Sequence, residues 1–194
     1  MDFQIRQKKK IIIAEQHDQL NGELFQKHIY KSDDRGNIIR FNYYDYSDRS
    51  LDQKWIYKYD DNNNIIEQSL YNYDCSLDQN WTYKYDKNNN IIEQNLYNSQ
   101  VNLVMKTAYK YDDNKKITEE IYYDSDGSLN KKITFKYDKN QNIIQNNIYN
   151  YRDNSKIDSS FKYQYDKQGN WVKKIEYQND NPLYITKRKY EYYE

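Results

Sequence analysis

Apolar and polar residues alternate with a period of two in short runs, and clusters of Asp, Asn, Ser and Gly separate the runs. The stretch "KWIYKYDDNNNIIEQ" starts at Lys54, and "NWTYKYDKNNNIIEQ" repeats it 26 residues later from Asn80. Period-two runs bounded by turn residues read as half-buried strands, and two such runs around one short cluster read as a hairpin. No segment combines a helical period with capping residues. The pattern predicts an all-β chain, an antiparallel up-and-down meander of about seven β-hairpin repeats of 26–28 residues, or about 14 strands.

The repeat is anchored by aromatic-x-Tyr-Asp at Tyr57, Tyr83, Tyr109, Phe135 and Tyr163, with degenerate copies at Tyr30 and Tyr190. A second set of turn clusters lies between the anchors: "NGEL" at Asn21, "DRSL" at Asp48, "DCSL" at Asp74, "SQVNL" at Ser99, "DGSL" at Asp126, "DNSKI" at Asp153 and "DNPL" at Asp180. The array fills residues 1–194 as a single repeat domain.

A four-residue loop over 61–64 sets Asp60 opposite Ile65, Tyr59 opposite Ile66, Lys58 opposite Glu67 and Trp55 opposite Leu70. Opposite charges then meet across the pair, a gain of a few tenths of a kcal/mol. The same register joins Lys84 to Glu93 and Lys110 to Glu119, and loses its charge match at Lys136/Gln145 and Gln164/Lys173. Alternation puts Trp55, Tyr57, Tyr59, Ile66 and Leu70 on one face (face one) and Ile56, Lys58, Glu67 and Tyr71 on the other (face two). Across the repeats face one carries two columns. One runs Tyr57, Tyr83, Tyr109, Phe135, Tyr163, Tyr190, and the other Trp55, Trp81, Thr107, Ile133, Phe161, Arg188. Face two is polar, with Tyr71, Tyr97, Tyr123, Tyr149 and Tyr177 near the strand ends. An open sheet of more than about 10 strands tends to curl, so an elongated curved or spiralling sheet is expected, with the basic segments "FQIRQKKKIII" and "TKRKYEYYE" as end caps that keep edges from pairing.

Composition changes this picture little. Mean hydropathy is −1.33, a value common in disordered chains, but 25 Tyr, 5 Phe and 3 Trp set this chain apart from them. Thirty basic and 30 acidic residues cancel, which removes a bulk attraction to nucleic acid or anionic membrane. Cys75 is the single cysteine, so no intramolecular disulfide forms. The N-terminal apolar run is too short for a signal peptide and no run is long enough to span a membrane. A cytoplasmic location is expected, or a secreted one if a signal peptide has been removed.

"YQYDKQGNW" (Tyr163 to Trp171) and "YKYDKNNNII" (Tyr83 to Ile92) resemble the YD repeat of the Rhs family, roughly Tyr-x-Tyr-Asp-x-x-Gly-Asn-Leu. The periodicity covers nearly the whole chain. Most glycine positions hold Asn, and Gly36 and Gly169 match the family pattern. The resemblance implies a strand-rich repeat sheet in a short form lacking a toxin domain, and toxin delivery is not carried over. A looser similarity to MORN-type hairpin repeats lacks their Gly-rich pattern.

Candidate chemistry is sparse. Asp60/Asn62/Asn64, Asp86/Asn88/Asn90 and Asp138/Asn140/Asn142 have an alternate-oxygen spacing that calcium can use, but an EF-hand's Gly at position six and Glu at twelve are missing. An Asx-type turn explains them better. His17, His28 and Cys75 do not make a zinc site, and His28 falls at the Trp55 position, as a packing residue. No catalytic residue, metal or cofactor is nominated. Lys and rings alternate onto opposite faces, which disfavours nucleic-acid binding. The expected function is non-enzymatic: a protein–protein interaction module, an inhibitor of or scaffold for another macromolecule. The alternative is carbohydrate binding by stacked rings. The candidate binding residues are Trp55, Tyr57, Trp81, Tyr83 and Tyr109 on face one, and Tyr71, Tyr97 and Tyr123 on face two. Self-association is left open.

Overall fold

The computed structural model describes residues 10–17, 24–45 and 53–192. The turns expected at Asn21 and Asp48, together with Lys8 and Lys9 of the basic segment, lie outside the described residues. Fourteen strands form one antiparallel sheet in chain order. They are β1 (Ile11–His17), β2 (Leu24–Ser32), β3 (Ile38–Asp45), β4 (Gln53–Tyr59), β5 (Ile65–Tyr71), β6 (Leu77–Tyr85), β7 (Ile91–Tyr97), β8 (Leu103–Tyr111), β9 (Ile117–Asp124), β10 (Leu129–Tyr137), β11 (Ile143–Asn150), β12 (Ser155–Tyr165), β13 (Trp171–Gln178) and β14 (Asn181–Lys187). β1 and β14 are the two edges, so the sheet is not closed into a barrel, and no helix occurs among the described residues. The chain divides into two units, Met1–Lys106 and Thr107–Glu194.

In the first unit β4 and β5 pair Trp55 with Leu70, Tyr57 with Gln68 and Lys58 with Glu67, the register the charge pattern predicts. β6 and β7 pair Lys84 with Glu93 and Trp81 with Leu96. In the second unit Lys136 still faces Gln145 and Gln164 still faces Lys173, so the register survives without the charge match. The turn end differs from expectation. Tyr59 pairs with Ile65, not Ile66, because the register shifts between Lys58 and Tyr59. The loop has three residues: the Asp60 N–H donates to the Asn64 carbonyl (2.9 Å) and the Asn63 N–H to the Asp60 carbonyl (3.2 Å). This is a type I turn closed by a left-handed residue, a frequent three-residue hairpin connection.

The same pair of backbone bonds recurs in nine turns among the described residues, starting at Asp33, Asp60, Asn72, Asp86, Asn98, Asp112, Asp124, Asp138 and Asp166. The fourth residue of each is left-handed: Gly36, Asn63, Cys75, Asn89, Val101, Lys115, Gly127, Gln141 and Gly169, with φ between 62° and 92°. The Gly of the repeat pattern marks this position. The Asp of the pattern does the rest: Oδ1 of Asp60 accepts the N–H of Asn62 (2.9 Å) and of Asn64 (2.8 Å), and Oδ2 accepts the Asn64 side-chain amide (2.9 Å). Asp86 repeats all three bonds. The β13–β14 connection is different, a two-residue turn with Asn179 and Asp180 both left-handed.

In five anchors the second Tyr ties its hairpin to the preceding one. The hydroxyls of Tyr59, Tyr85 and Tyr137 donate to the carbonyls of Ile38 (2.8 Å), Ile65 (2.7 Å) and Ile117 (2.8 Å), each the first residue of a return strand. Tyr165 and Tyr192 donate instead to Oδ2 of Asp138 and Asp166. Tyr192 does so although β14 ends at Lys187, so the last anchor is not in a strand as expected.

No apolar side chain among the described residues is fully buried; the buried ones are Ser32, Ser69, Asn95 and Thr107. Apolar contact is therefore lateral, from side chain to side chain along a face, and backbone ladders carry much of the cohesion.

Candidate binding surface

Face one of the first unit is an aromatic surface from β2 to β7. Successive strands pair His28 with Tyr43, Tyr30 with Phe41, Phe41 with Trp55, Trp55 with Leu70, Gln68 with Trp81, and Trp81 with Leu96. None of these is Lys, Arg, Asp or Glu; Asp45 accepts from the Tyr43 hydroxyl (2.8 Å) at the margin. The Trp55 ring lies parallel to Trp81 (centroids 5.6 Å, 23°) and to Tyr57 (6.4 Å, 13°). Tyr30 stacks on Phe41 at 4.9 Å, and His28 packs against Tyr30, Phe41 and Tyr43, the packing role its position predicts. Trp55, Tyr57, Trp81 and Tyr83 are each half-buried. Burial raises the Tyr57 phenol above its ordinary pKa, so it stays neutral.

Face one of the second unit is chemically different. Glu120 pairs with Ile133, Lys174 with Tyr163 and Glu176 with Phe161, which puts charges among the rings. The Tyr122 hydroxyl donates to Glu120 (2.7 Å), and burial, this bond and the carboxylate charge push the phenol well up. Tyr109 is raised by burial and by the same carboxylate. Arg188 lies over the Trp171 ring at 3.5 Å. Thus Tyr109, nominated with the Trp55 group, sits in a different setting. The charges were readable by alternation from Glu119, but the columns were traced through rings alone.

Face two carries two Lys–Glu–Lys trios. Glu93 is held between Lys84 (2.8 Å) and Lys106 (2.8 Å), and hydrogen bonds from Lys106 and Lys84 lower its pKa from 4.5 to about 2. Glu119 sits between Lys110 (2.9 Å) and Lys132 (3.2 Å) and is lowered likewise, first by Lys110. The second lysine of each trio was not foreseen, because it comes from the next strand. Nor is face two wet throughout: Ser69 and Asn95 are only 4% and 8% exposed. Ser69 donates to Asn80 (2.9 Å), and Asn95 to Thr82 (3.2 Å) and Glu93 (3.1 Å). Tyr71 lies under Lys54 (4.3 Å to the ring centre). Tyr97 and Tyr123 are half-buried on the same face.

The candidate calcium oxygens have other work. Both carboxylate oxygens of Asp60 and Asp86 accept N–H groups of their own turns, and hydrogen bonds from Asn64, side chain and then backbone, hold Asp60 below its usual pKa. Among the described residues no group of three or more His, Cys, Asp or Glu is placed to hold a metal ion. Cys75 is a free, exposed thiol in a turn. A trough of about 370 Å³ runs beside the turns of Asp33 and Asp60, over Tyr57 and Tyr59.

No protein-family model matches the chain, and no curated protein matches it in sequence. Among solved structures it is similar to a porin-like protein from Bacteroides uniformis, at 10% identity and TM-score 0.38, over 90% of this chain and 93% of that one. It is also similar to a Photorhabdus luminescens Tc holotoxin pore, at 11% identity and TM-score 0.26, and to a TcdB2–TccC3–TEV chain, at 10% identity and TM-score 0.27. Each of these two alignments covers 91% of this chain but only 14% of the toxin chain. TM-scores this low leave the likenesses without weight for fold or function.

Proposed function

We propose that this chain is a non-enzymatic binding module of the Tyr-Asp repeat type that recognises a protein partner through face one of its first unit. The observation that carries the reading is the aromatic surface around Trp55 and Trp81, half-exposed on a sheet with no buried apolar side chain among its described residues. Trp and Tyr are enriched among residues that anchor protein interfaces. The carbohydrate reading fits less well. A sugar stacks on the flat side of a ring, whereas Trp55 has Trp81 and Tyr57 parallel to it. Rings that already stack on one another can still be packed by another protein's side chains. The repeat assignment is supported by what the motif does: its Tyr bonds the preceding hairpin and its Asp closes the turn.

The test is affinity capture from nuclease-treated source-cell lysate, with wild type beside a Trp55→Ala/Trp81→Ala variant whose circular dichroism shows an intact sheet. A stoichiometric protein held by wild type and lost by the variant is the expected result. Glycan or cell-wall retention that the variant loses would replace this reading with the carbohydrate one.

A further inference from the structure

The two edges of the sheet are not equivalent. β14 carries two blocking features, Pro182 and a register shift between Glu176 and Tyr177 opposite it, while basic residues flank both edges: Lys187, Arg188 and Lys189 at the end of β14, and Lys8, Lys9 and Lys10 before β1 in the sequence. Proline, bulges and lysine are the usual means of keeping an edge from pairing. β1 has neither a proline nor a register shift between Ile11 and Gln16, and both edges expose apolar side chains: Ile11, Ile12 and Ile13 (61%, 44% and 55%) on β1, and Leu183, Tyr184 and Ile185 (46%, 64% and 60%) on β14. The direction of its backbone groups follows from one bond. The Ser32 N–H donates to the Lys10 carbonyl (2.9 Å), so Lys10 points toward β2. Antiparallel pairing alternates by residue, so Ile12, Ala14 and Gln16 also point inward, and Ile11, Ile13 and Glu15 direct N–H and C=O outward, away from the sheet.

We propose that β1 is a homodimerisation edge, pairing antiparallel with β1 of a second copy about a two-fold axis at Ile12. In that register Ile11 faces Ile13 of the second copy in both directions. These are outward residues opposite outward residues, so four backbone hydrogen bonds form. Ile12 faces Ile12, beside an open hollow of about 610 Å³ lined by Ile12, Ile38, Ser32 and Gly36 together with the charged Lys10, Asp33 and Asp34. Centring on Ile13 instead would set Glu15 against Ile11. Charge argues for this two-fold over a head-to-tail chain of copies: β14 against β1 would bring Lys187 and Arg188 beside Lys10, whereas the two-fold keeps the two Lys10 side chains at opposite ends. The interface is far smaller than the roughly 1,200–2,000 Å² of stable complexes, so the dimer is reversible.

Sedimentation velocity of the full chain over a wide concentration range tests this. A monomer–dimer equilibrium is expected. Ile13→Pro removes an outward N–H that the β1–β2 ladder does not use, and Ile11→Lys/Ile13→Lys sets like charges opposite each other. Each should weaken association at least ~10-fold while circular dichroism is unchanged. In a Cys75→Ser background, Ile12→Cys should form an intermolecular disulfide on oxidation. Gln16→Cys, ~26 Å from its copy in this register, should not. A monomer at every concentration, a dimer indifferent to both substitutions, or crosslinking at position 16 in place of 12 would overturn the proposal.

Discussion

At the scale of single residues, the nine turns separate two jobs that the repeat motif combines. The first residue supplies side-chain acceptors, and the fourth tolerates a positive φ. Glycine fills the fourth position only at Gly36, Gly127 and Gly169. Elsewhere a side chain is held left-handed, at a cost that is largest for a β-branched residue. Val101 has φ 62° and is 62% exposed, so it gives up little burial on replacement. Val101→Asn should therefore stabilise the chain by about 1 kcal/mol. The readout is a higher urea midpoint at an unchanged denaturant slope, and an equal or lower midpoint would show that the turn bears no strain there.

At the scale of elements, the strands and their register were legible and the loops were not. Lys58 and Glu67 mark their own pairing because only one register brings the charges together. In "DDNNN" every position is polar, so nothing distinguishes a three-residue loop from a four-residue one, and the shift at Tyr59 passed unseen. The tyrosine bonds between hairpins were equally hidden. Their acceptors at Ile38, Ile65 and Ile117 are main-chain carbonyls, which leave no mark in a sequence. These bonds give the second Tyr of the anchor a purpose beyond packing. Tyr85→Phe keeps the ring and leaves the Ile65 carbonyl without that donor, so it should cost about 1 kcal/mol. Chemical denaturation measures this, and a neutral effect would mean that water replaces the hydroxyl without loss.

At the scale of the whole molecule, the all-β meander was legible from periodicity, but the way it holds together was not. A row of rings reads equally well as a buried core and as a half-open surface, since alternation says which face a residue is on and not what covers it. In the structure no apolar side chain among the described residues is buried. Heat capacity rises on unfolding mainly because apolar surface meets water. Scanning calorimetry should therefore find a heat-capacity change per residue below the ~12–15 cal/mol/K of compact domains. A value within that range would reveal a covering layer, from another copy or from residues beyond those described here.

Because each tyrosine bond reaches back one hairpin and each turn closes on itself, neighbouring hairpins that share an acceptor type can be joined at equivalent points. Tyr59 and Tyr85 stand 26 residues apart and bond equivalent carbonyls. Excising residues 60–85 would join Tyr59 to Asp86, restoring the motif and preserving strand direction. Removing half that length would reverse every strand that follows. Gene duplication or loss in whole-repeat steps is therefore structurally silent at the joints, and copy number becomes a trait that can drift without a new interface having to be invented.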